Sequence, residues 1–239
     1  MCGSSMTISG FWSSFRNPAL LPLYQKQSLG ISLESLYGIP ELSVSTAALI
    51  IPSGNSALGI RYSQYGIAGF RRSVISAAGG IRVWETLNAG ISVFLLADRS
   101  GESGRSYLVP AFEPALMISL AGGITAGLTI FNPFPQLSGY NSYPSVVRLA
   151  AGYQPVEHLI LAIKIEESSH ANLSMALGFE YYISNRVPLR AGYMTHPGGF
   201  SLGSGFISEG FTADIAFVTH PVMGITPSIS IVWNLRHKR

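Results

Sequence analysis

The stretch GYQPVEHLILAIKIEESSHANLSMALGFEYYISNRVPLRAGYMTHPGG, residues 152–199, decides the fold. Within it, apolar side chains occupy every second position for several residues at a time, and short polar breaks separate the runs. Lys164, Glu180 and Arg190 stand singly at the intervening positions. Alternation with a period of two residues is typical of β-strands, whose side chains point to opposite faces. The stretch therefore predicts three consecutive strands, each with an apolar face and a face that carries an isolated charge.

The composition of the whole chain predicts that these apolar faces meet lipid. Charged residues make up 11% of the 239 residues, against roughly 25% in a typical soluble domain. The mean hydropathy is +0.33. No run offers the ~20 apolar residues that a membrane helix needs, and 26 Gly and 14 Pro argue against long helices. Because only helices and closed barrels satisfy their backbone groups in a bilayer, the sequence predicts a transmembrane β-barrel.

Alternating runs continue along the chain and give the strand count. We predict an all-β fold, an antiparallel up-and-down barrel of about 14 strands, with 12 as the alternative count. Both numbers are even, as in single-chain bacterial barrels. The predicted strands are 25–37, 41–53, 56–68, 71–85, 87–99, 105–121, 126–134, 144–156, 158–168, 171–185, 187–196, 200–208, 211–220 and 226–236.

The isolated charges fall on the face opposite the large apolar side chains, so we expect them to point into the lumen. An Arg or Lys on the lipid face near the bilayer midplane costs roughly 2–4 kcal/mol, whereas a lumen offers water and counter-charges. The predicted lumen-facing charges are Glu34, Arg61, Arg82, Arg148, Lys164, Glu180, Arg190 and Asp214. A soluble β-sandwich is the alternative, but too few charges exist to cover its outer surface.

Spacing predicts one barrel domain, residues 25–236, followed by a basic tail, 237–239. Dividing the chain among fourteen strands leaves little room for loops. The longest candidate loops are residues 98–105 and 134–145, which consist mainly of Gly, Ser, Asn and Pro. These residues are typical of turns, so we expect connecting segments without a folded lid.

The first 24 residues do not alternate, and we predict that they form a hatch or plug inside the barrel. A fourteen-stranded lumen lined by many small residues needs filling, because it is wider than an eight-stranded barrel that its own side chains fill. The alternative is a disordered tail, which the aromatic content disfavours. The predicted plug residues are Phe11, Trp12, Phe15, Arg16, Asn17 and Pro18.

Three segments carry a resemblance to a known family. SSFRNPALLPLYQKQSLGISL (13–33), FNPFPQLSGYNSYPSVVRLAAGYQPVEHLILAIKIEES (131–168) and the final stretch 189–235 resemble FadL/PorV-type outer-membrane proteins. In that family an Asn-Pro-Ala turn, here Asn17, Pro18 and Ala19, closes an N-terminal hatch before the first strand. The resemblance implies a fourteen-stranded barrel in a bacterial outer membrane. It also implies a group that holds both fatty-acid channels and subunits of type IX secretion and related machines of Bacteroidota-like bacteria.

Chemistry-bearing residues are few, so we predict no catalytic site, no metal site and no cofactor. The two Thr-His-Pro repeats, at 195–197 and 219–221, are expected to lie near one another at one rim as turn punctuation. The net charge of +3 comes without a basic cluster, which does not favour nucleic acid as a partner. Near Met1 no basic segment precedes an apolar one, so we expect a leader to have been removed, replaced or misassigned.

Two functional hypotheses follow for a non-enzymatic barrel whose first partner is outer-membrane lipid. The favoured one is an accessory or scaffold subunit that binds other outer-membrane or periplasmic subunits, because short loops give the barrel a flat profile. The alternative is a passive channel for a hydrophobic small molecule such as a fatty acid. The family's fatty-acid channels have longer loops that capture the ligand, and this difference is the reason for the preference.

Overall fold

The computed structural model describes residues 1–67, 70–100, 106–134, 137–138 and 141–235. Among these residues, fourteen strands form a closed antiparallel barrel, which confirms the predicted fold and the count of 14 over 12. The barrel strands are β1 (Ser28–Ser35), β2 (Ser43–Ser53), β3 (Ser56–Ile67), β4 (Phe70–Arg82), β5 (Leu87–Ser100), β6 (Ser106–Leu120), β7 (Ile124–Phe131), β10 (Val146–Val156), β11 (Leu159–Ser168), β12 (Ala171–Ser184), β13 (Val187–Met194), β14 (Gly199–Ile207), β15 (Phe211–His220) and β16 (Gly224–Asn234). A separate hairpin, β8 (Leu137–Ser138) with β9 (Asn141–Ser142), lies between β7 and β10.

Each barrel strand pairs with its neighbours in chain order, and β1 pairs with β16 to close the wall. This closure joins the first and last barrel strands, as a bilayer requires, although β6 pairs with β7 only over its second half, Ala115 to Leu120. Because the topology is up-and-down, the turns alternate between two rims. The chain enters β1 and leaves β16 at one rim, which we call the terminal rim, and the other is the distal rim.

Side chains on the outer face are apolar and exposed. Leu149 and Leu177 are each 53% exposed, whereas the inward neighbours Ala150 and Glu180 are 7% and 4% exposed. The same alternation holds on β1, where Leu29, Ile31 and Leu33 face outward. Large exposed apolar side chains on a soluble protein would be costly, so this surface suits a hydrocarbon environment. Among the described residues, no helix has the length and apolar character to cross a membrane.

Several predicted boundaries differ from those observed. The predicted strand 25–37 is shorter in the structure, because turns of 3₁₀ helix at Leu36–Gly38 and Pro40–Leu42 form the connection to β2. The predicted strand 87–99 is confirmed and continues to Ser100, so the first three residues of the candidate loop 98–105 belong to β5. Asp98 stays in the strand because it faces inward and forms an ion pair with Arg72. The rest of that loop, 101–105, lies outside the described residues.

The predicted loop 134–145 contains the hairpin of β8 and β9, which we did not predict. Two-residue strands are too short to show alternation, so the sequence pattern carries no signal for them. The predicted strand 126–134 also ends earlier than expected, at Phe131. Asn132 follows with a φ of 48°, a left-handed conformation that ends the strand.

The N-terminal segment, residues 1–24, folds into short helices rather than strands. These are a 3₁₀ helix at Ser5–Thr7, one α-helical turn at Phe11–Ser14 and a 3₁₀ helix at Pro18–Leu23. Outside this segment, another 3₁₀ turn, Ala121–Gly123, joins β6 to β7 at the terminal rim. Helical turns satisfy much of their own backbone hydrogen bonding, which suits a segment that has no strand beside it.

Candidate functional site: the barrel lumen

The N-terminal segment lies inside the barrel and packs against its wall. Phe11, Phe15 and Leu21 are buried together with inward residues of β2, β3, β4 and β16. The Phe11 ring meets those of Trp12, Phe15 and Tyr24 at centroid distances of 4.9 to 5.8 Å. Trp12 Nε1 also donates to Ser230 Oγ at 3.1 Å. The aromatic residues predicted for a plug thus contact one another and the lumen wall.

Asn17 organises the turn that leads to Pro18. Its side chain is fully buried; Oδ1 accepts a hydrogen bond from the Ala19 backbone N–H at 3.1 Å, and Nδ2 donates to the Met6 carbonyl at 2.9 Å. Asn at the N-cap with Pro at the first helical position is a favoured way to begin a helix. This side chain therefore holds two parts of the segment together as well as starting the 3₁₀ helix.

Glycines on eight strands make room for this segment. At each position, a Cβ atom would approach an atom of the N-terminal segment: Phe11 Cε1 lies 2.3 Å from the Cβ position of Gly30, the Pro18 carbonyl oxygen 2.4 Å from that of Gly80, and Ser4 Oγ 1.9 Å from that of Gly178. Glycine permits such close approach because it has no side chain. We call this set the glycine collar; its members are Gly30, Gly59, Gly80, Gly90, Gly127, Gly152, Gly178 and Gly192.

Five of the predicted lumen charges form two ion-pair networks. Arg148 contacts Glu113 and Glu166 at 2.8 Å each, and Lys164 contacts Glu166 at 3.0 Å. Arg190 pairs with both Glu180 and Asp214. All of these side chains have the inward parity that alternation assigns to them. Buried ions need such partners, because an isolated buried charge is costly.

Several charged and polar residues of the lumen were not predicted from the sequence. Glu113 lies at an inward position between Phe112 and Pro114, and Glu166 lies two residues after the inward Lys164, so the same alternation would have identified both. Arg72 and Asp98 form a two-point contact, with nitrogen–oxygen distances of 2.7 and 2.9 Å. Tyr143, beyond the end of the barrel strands, donates to Asp98 at 2.9 Å. Burial and the neighbouring carboxylate raise the pKa of Tyr143 to about 12, so the phenol keeps its proton at neutral pH.

Glu34, Arg61 and Arg82 are the predicted charges that form no ion pair within the described part of the chain. Arg82 has inward parity but is exposed, because it is the last residue of β4 at the terminal rim. Glu34 is half-buried near the distal end of β1. Arg61 differs from both, since its Nε is buried without a hydrogen-bond partner. Its guanidinium lies over the rings of Phe15 and Phe94, 5.9 and 6.0 Å from their centroids.

The lumen has two unlike walls. The apolar wall lies on β4 to β7, and the rings of Phe94 and Phe131 on it are 5.4 Å apart. Its members are Val74, Phe94, Leu96, Val109, Ala111 and Phe131. The charged wall lies on β10 to β15; its members are Arg148, Lys164, Glu166, Glu180, Arg190 and Asp214.

A cavity of about 290 Å³ opens near the distal end of β2 to β4. Most of its lining has inward parity, including Val44, Tyr65 and Val74, and Leu36 of the β1–β2 connection contributes to it. Val74 also belongs to the apolar wall. The cavity therefore continues the apolar wall toward the distal rim. A shallow apolar groove of about 980 Å³ also crosses the outer face from Ile124 to Phe200, where lipid chains would lie.

The two Thr-His-Pro repeats meet at the distal rim, at the ends of β13 and β15. The Nδ1 atom of His220 accepts hydrogen bonds from the backbone N–H groups of Val222 and Met223 at 3.2 Å. Its ring packs against Tyr37, with centroids 5.7 Å apart. His220 thus stabilises its own turn. In the described ranges, no three His, Cys, Asp or Glu side chains converge as metal ligands would.

Comparison with solved structures places this architecture among known barrels. A FadL homologue of Pseudomonas aeruginosa superposes with a TM-score of 0.74 at 12% identity, covering 98% of this chain and 96% of that chain. The fold is that of a FadL-type outer-membrane barrel. The toluene transporter TodX of Pseudomonas putida gives a TM-score of 0.72 at 13% identity, with 96% of each chain covered. Omp33, an outer-membrane protein of Acinetobacter baumannii, gives 0.58 at 6% identity, covering 90% of this chain and all of that one.

One of these neighbours is described as a toluene transporter, and the other two as a FadL homologue and an outer-membrane protein. At such low identities the likeness extends to the FadL-type fold and not to a particular cargo. No protein-family model and no curated protein matches the sequence. The PorV side of the resemblance, the type IX secretion role and the Bacteroidota-like source stay predictions.

Proposed function

We propose that the chain is a bacterial outer-membrane channel for hydrophobic small molecules. One observation carries the proposal: an apolar wall, with Phe94, Leu96 and Val109 at its centre, faces the lumen and continues into the distal cavity. A barrel interior that only had to be rigid would be served by ion pairs or small residues. Binding sites for small molecules are mostly apolar with a few placed polar groups, and this side of the lumen has that composition.

The accessory-subunit hypothesis rested on short loops and stays a prediction. Nothing in the described lumen requires a protein partner, whereas the buried apolar cluster beside the distal cavity offers a hydrophobic molecule an apolar surface to bind. The N-terminal segment supports a selective channel over an open pore. The segment packs against eight strands through the glycine collar and so occupies part of the lumen. Less space remains for water and polar solutes than in an open pore.

The test is transport into proteoliposomes. We expect the purified barrel to raise the rate of toluene entry above that of empty liposomes, and to leave the entry of a sugar of similar size unchanged. We expect the apolar wall to cause the faster entry of toluene than of the sugar. Leu96→Asn should therefore lower the rate of toluene entry. Ser228→Asn, on an inward position of β16 outside the apolar wall, is the matched control and should leave it unchanged.

Sugar entry equal to toluene entry would contradict a hydrophobic channel. Equal effects of the two Asn variants would contradict the role of the apolar wall. Purification from the native membrane addresses the other hypothesis, since a stoichiometric partner protein together with no toluene entry would favour the accessory subunit.

A further inference from the structure

Two arginines lie side by side on the outer face of the barrel, at the distal ends of β4 and β5. Arg71 pairs across the sheet with Arg99, and both side chains are exposed. They have outward parity, because the next pair along the same strands, Arg72 with Asp98, forms its ion pair on the inner face. Like charges directly opposite each other destabilise a sheet. An anion bound between the two guanidinium groups would remove this repulsion.

The chain supplies no such anion from the described parts of β3 to β6. The carboxylates there, Asp98 and Glu113, are each 4% exposed and point inward. Neither Arg71 nor Arg99 forms an ion pair with a described residue. The residue that pairs with Arg71 on β3 is Gly66, which adds no side chain beside the arginines. Within the described ranges, both guanidinium groups therefore keep their donors available on the outer surface.

The height of this pair along the barrel corresponds to lipid headgroups. The outward positions of β5 from Leu87 to Ala97 are all apolar. At about 3.3 Å per residue and a tilt of about 40°, this range rises about 25 Å, which is the height of the apolar band of an outer-membrane barrel. Arg99 is the next outward residue and so lies just beyond the hydrocarbon. On β3, the hydroxyl of the outward Tyr62 donates to Gln64 Oε1 at 2.9 Å, and tyrosine favours this membrane–water boundary.

We propose that Arg71 and Arg99 together bind the phosphate monoester of an anionic lipid. A phosphate monoester carries nearly two negative charges at neutral pH, which matches the two arginines. Each guanidinium can also donate two parallel hydrogen bonds to phosphate oxygens. The acyl chains of the lipid would lie on the exposed side chains of Ile75, Leu95 and Leu108, which continue the same face toward the bilayer midplane. This apolar continuation favours a lipid over a soluble anion or an acidic protein.

The experiment measures lipid binding to the full chain in dodecylmaltoside micelles by native mass spectrometry, which counts the lipids bound to each barrel. The probes are phosphatidic acid, a monoester; phosphatidylglycerol, a diester; and phosphatidylcholine, which has no net charge. All three carry the same acyl chains and are compared at about pH 8, where the monoester is doubly ionised. We expect phosphatidic acid to bind at least about tenfold tighter than phosphatidylcholine, as charge-assisted hydrogen bonds imply, with phosphatidylglycerol between them.

Variants separate this pair from the charge of the whole barrel. The double variant Arg71→Met, Arg99→Met should weaken phosphatidic acid binding at least about tenfold and leave phosphatidylcholine binding within about twofold. The double variant Arg82→Met, Arg186→Met is the matched control. It removes the same two charges from exposed positions at the terminal rim and should bind as the natural chain does. Heat-modifiable migration on gels checks that each variant is a closed barrel.

The outcomes test the site independently of the channel, since the inference concerns the outer surface and goes beyond the proposed transport. Equal binding of the three lipids by the natural chain would overturn it, as would an equal loss in both double variants. Phosphatidylglycerol binding as tightly as phosphatidic acid would overturn the charge match. Inorganic phosphate that displaces phosphatidic acid at equal concentration would show a site for free anions instead of lipid. If the Arg71, Arg99 double variant does not fold, the two single Met variants and the natural chain's preference among the lipids decide.

Discussion

The two walls of the lumen stabilise their inward side chains in different ways. On the charged wall, Arg190 lies between Glu180 and Asp214, and the inward polar groups satisfy one another. On the apolar wall, the side chains of Phe94 and Leu96 point into the barrel. Arg61 on the neighbouring β3 has a buried Nε without a hydrogen-bond partner. The cations of the charged wall are matched by carboxylates, including Glu113 of β6, whereas the apolar wall is a packed cluster with the distal cavity at its end and Arg61 beside it. The difference indicates which side of the barrel supports the structure and which side is available to a ligand.

The largest expected effect tests whether the charged wall is self-contained. Arg190→Met leaves Glu180, which is 4% exposed, without its cation. Breaking a buried ion pair from one side costs about 3–5 kcal/mol, so we expect the free energy of unfolding to fall by that amount. Urea unfolding in lipid vesicles, followed by tryptophan fluorescence, measures it. The triple variant Arg190→Met, Glu180→Gln, Asp214→Asn should recover most of the loss, and a triple variant as unstable as the single one would contradict the network.

The next effect compares the charged wall with the outer surface of the same strand. Leu177 faces outward on β12, three residues from the inward Glu180. We expect Leu177→Arg to lower the free energy of unfolding by about 2–4 kcal/mol, because it places a cation in hydrocarbon. Leu177→Phe is the control and should change little. Heat-modifiability and urea titration report both, and equal tolerance of Arg and Phe would show that this face does not meet lipid.

A smaller effect tests the seat of the N-terminal segment with two adjacent glycines. Gly80 faces inward, where a Cβ would lie 2.4 Å from the Pro18 carbonyl oxygen; Gly79 faces outward, where the nearest atom is 3.6 Å away. Gly80→Ala should cost about 1–3 kcal/mol by overpacking. Gly79→Ala is the matched control and should be near neutral. In a chain without residues 1–24, the two variants should become equivalent, and a cost that persists there would refute the contact.

The smallest effect concerns the distal end, where the apolar wall meets Arg72 and Asp98. Tyr143→Phe removes one hydrogen bond to Asp98, while Arg72 stays in place. We expect a loss of about 0.5–1.5 kcal/mol in the free energy of unfolding. Tyr153→Phe, on the outer face, is the control and should show less. A larger loss for Tyr153→Phe would indicate that the outer hydroxyls, and not this cluster, hold the rim.

Much of the fold followed from alternation alone, because a lipid-facing wall imposes a strict period of two. The runs around Leu149, Leu161 and Leu177 gave strand number and facing together. On the apolar wall the same rule gave the facing but not its meaning. In residues 91–97, ISVFLLA, alternation places Ile91, Val93 and Leu95 outward, but the inward Phe94 and Leu96 are apolar too, so composition does not mark that face as the lumen.

The candidate site was less predictable, since it depends on contacts between distant parts of the chain. Arg61 was placed in the lumen by its parity, but its lack of a partner depends on where Glu113 and Arg148 lie. Likewise, glycines in strands suggested close approach without naming what approaches. The route of residues 1–24 through the interior comes from aromatic and hydrogen-bonding contacts, which have no periodic signature.

The glycine collar has a consequence for assembly. Its glycines come from strands as far apart as β1 and β13, and Trp12 also bonds to Ser230 on β16. No short hairpin or partial sheet offers these contacts together. The N-terminal segment can therefore form all of them only after β1 has paired with β16. The time at which that segment becomes protected from a protease added during folding would therefore report when the barrel closes.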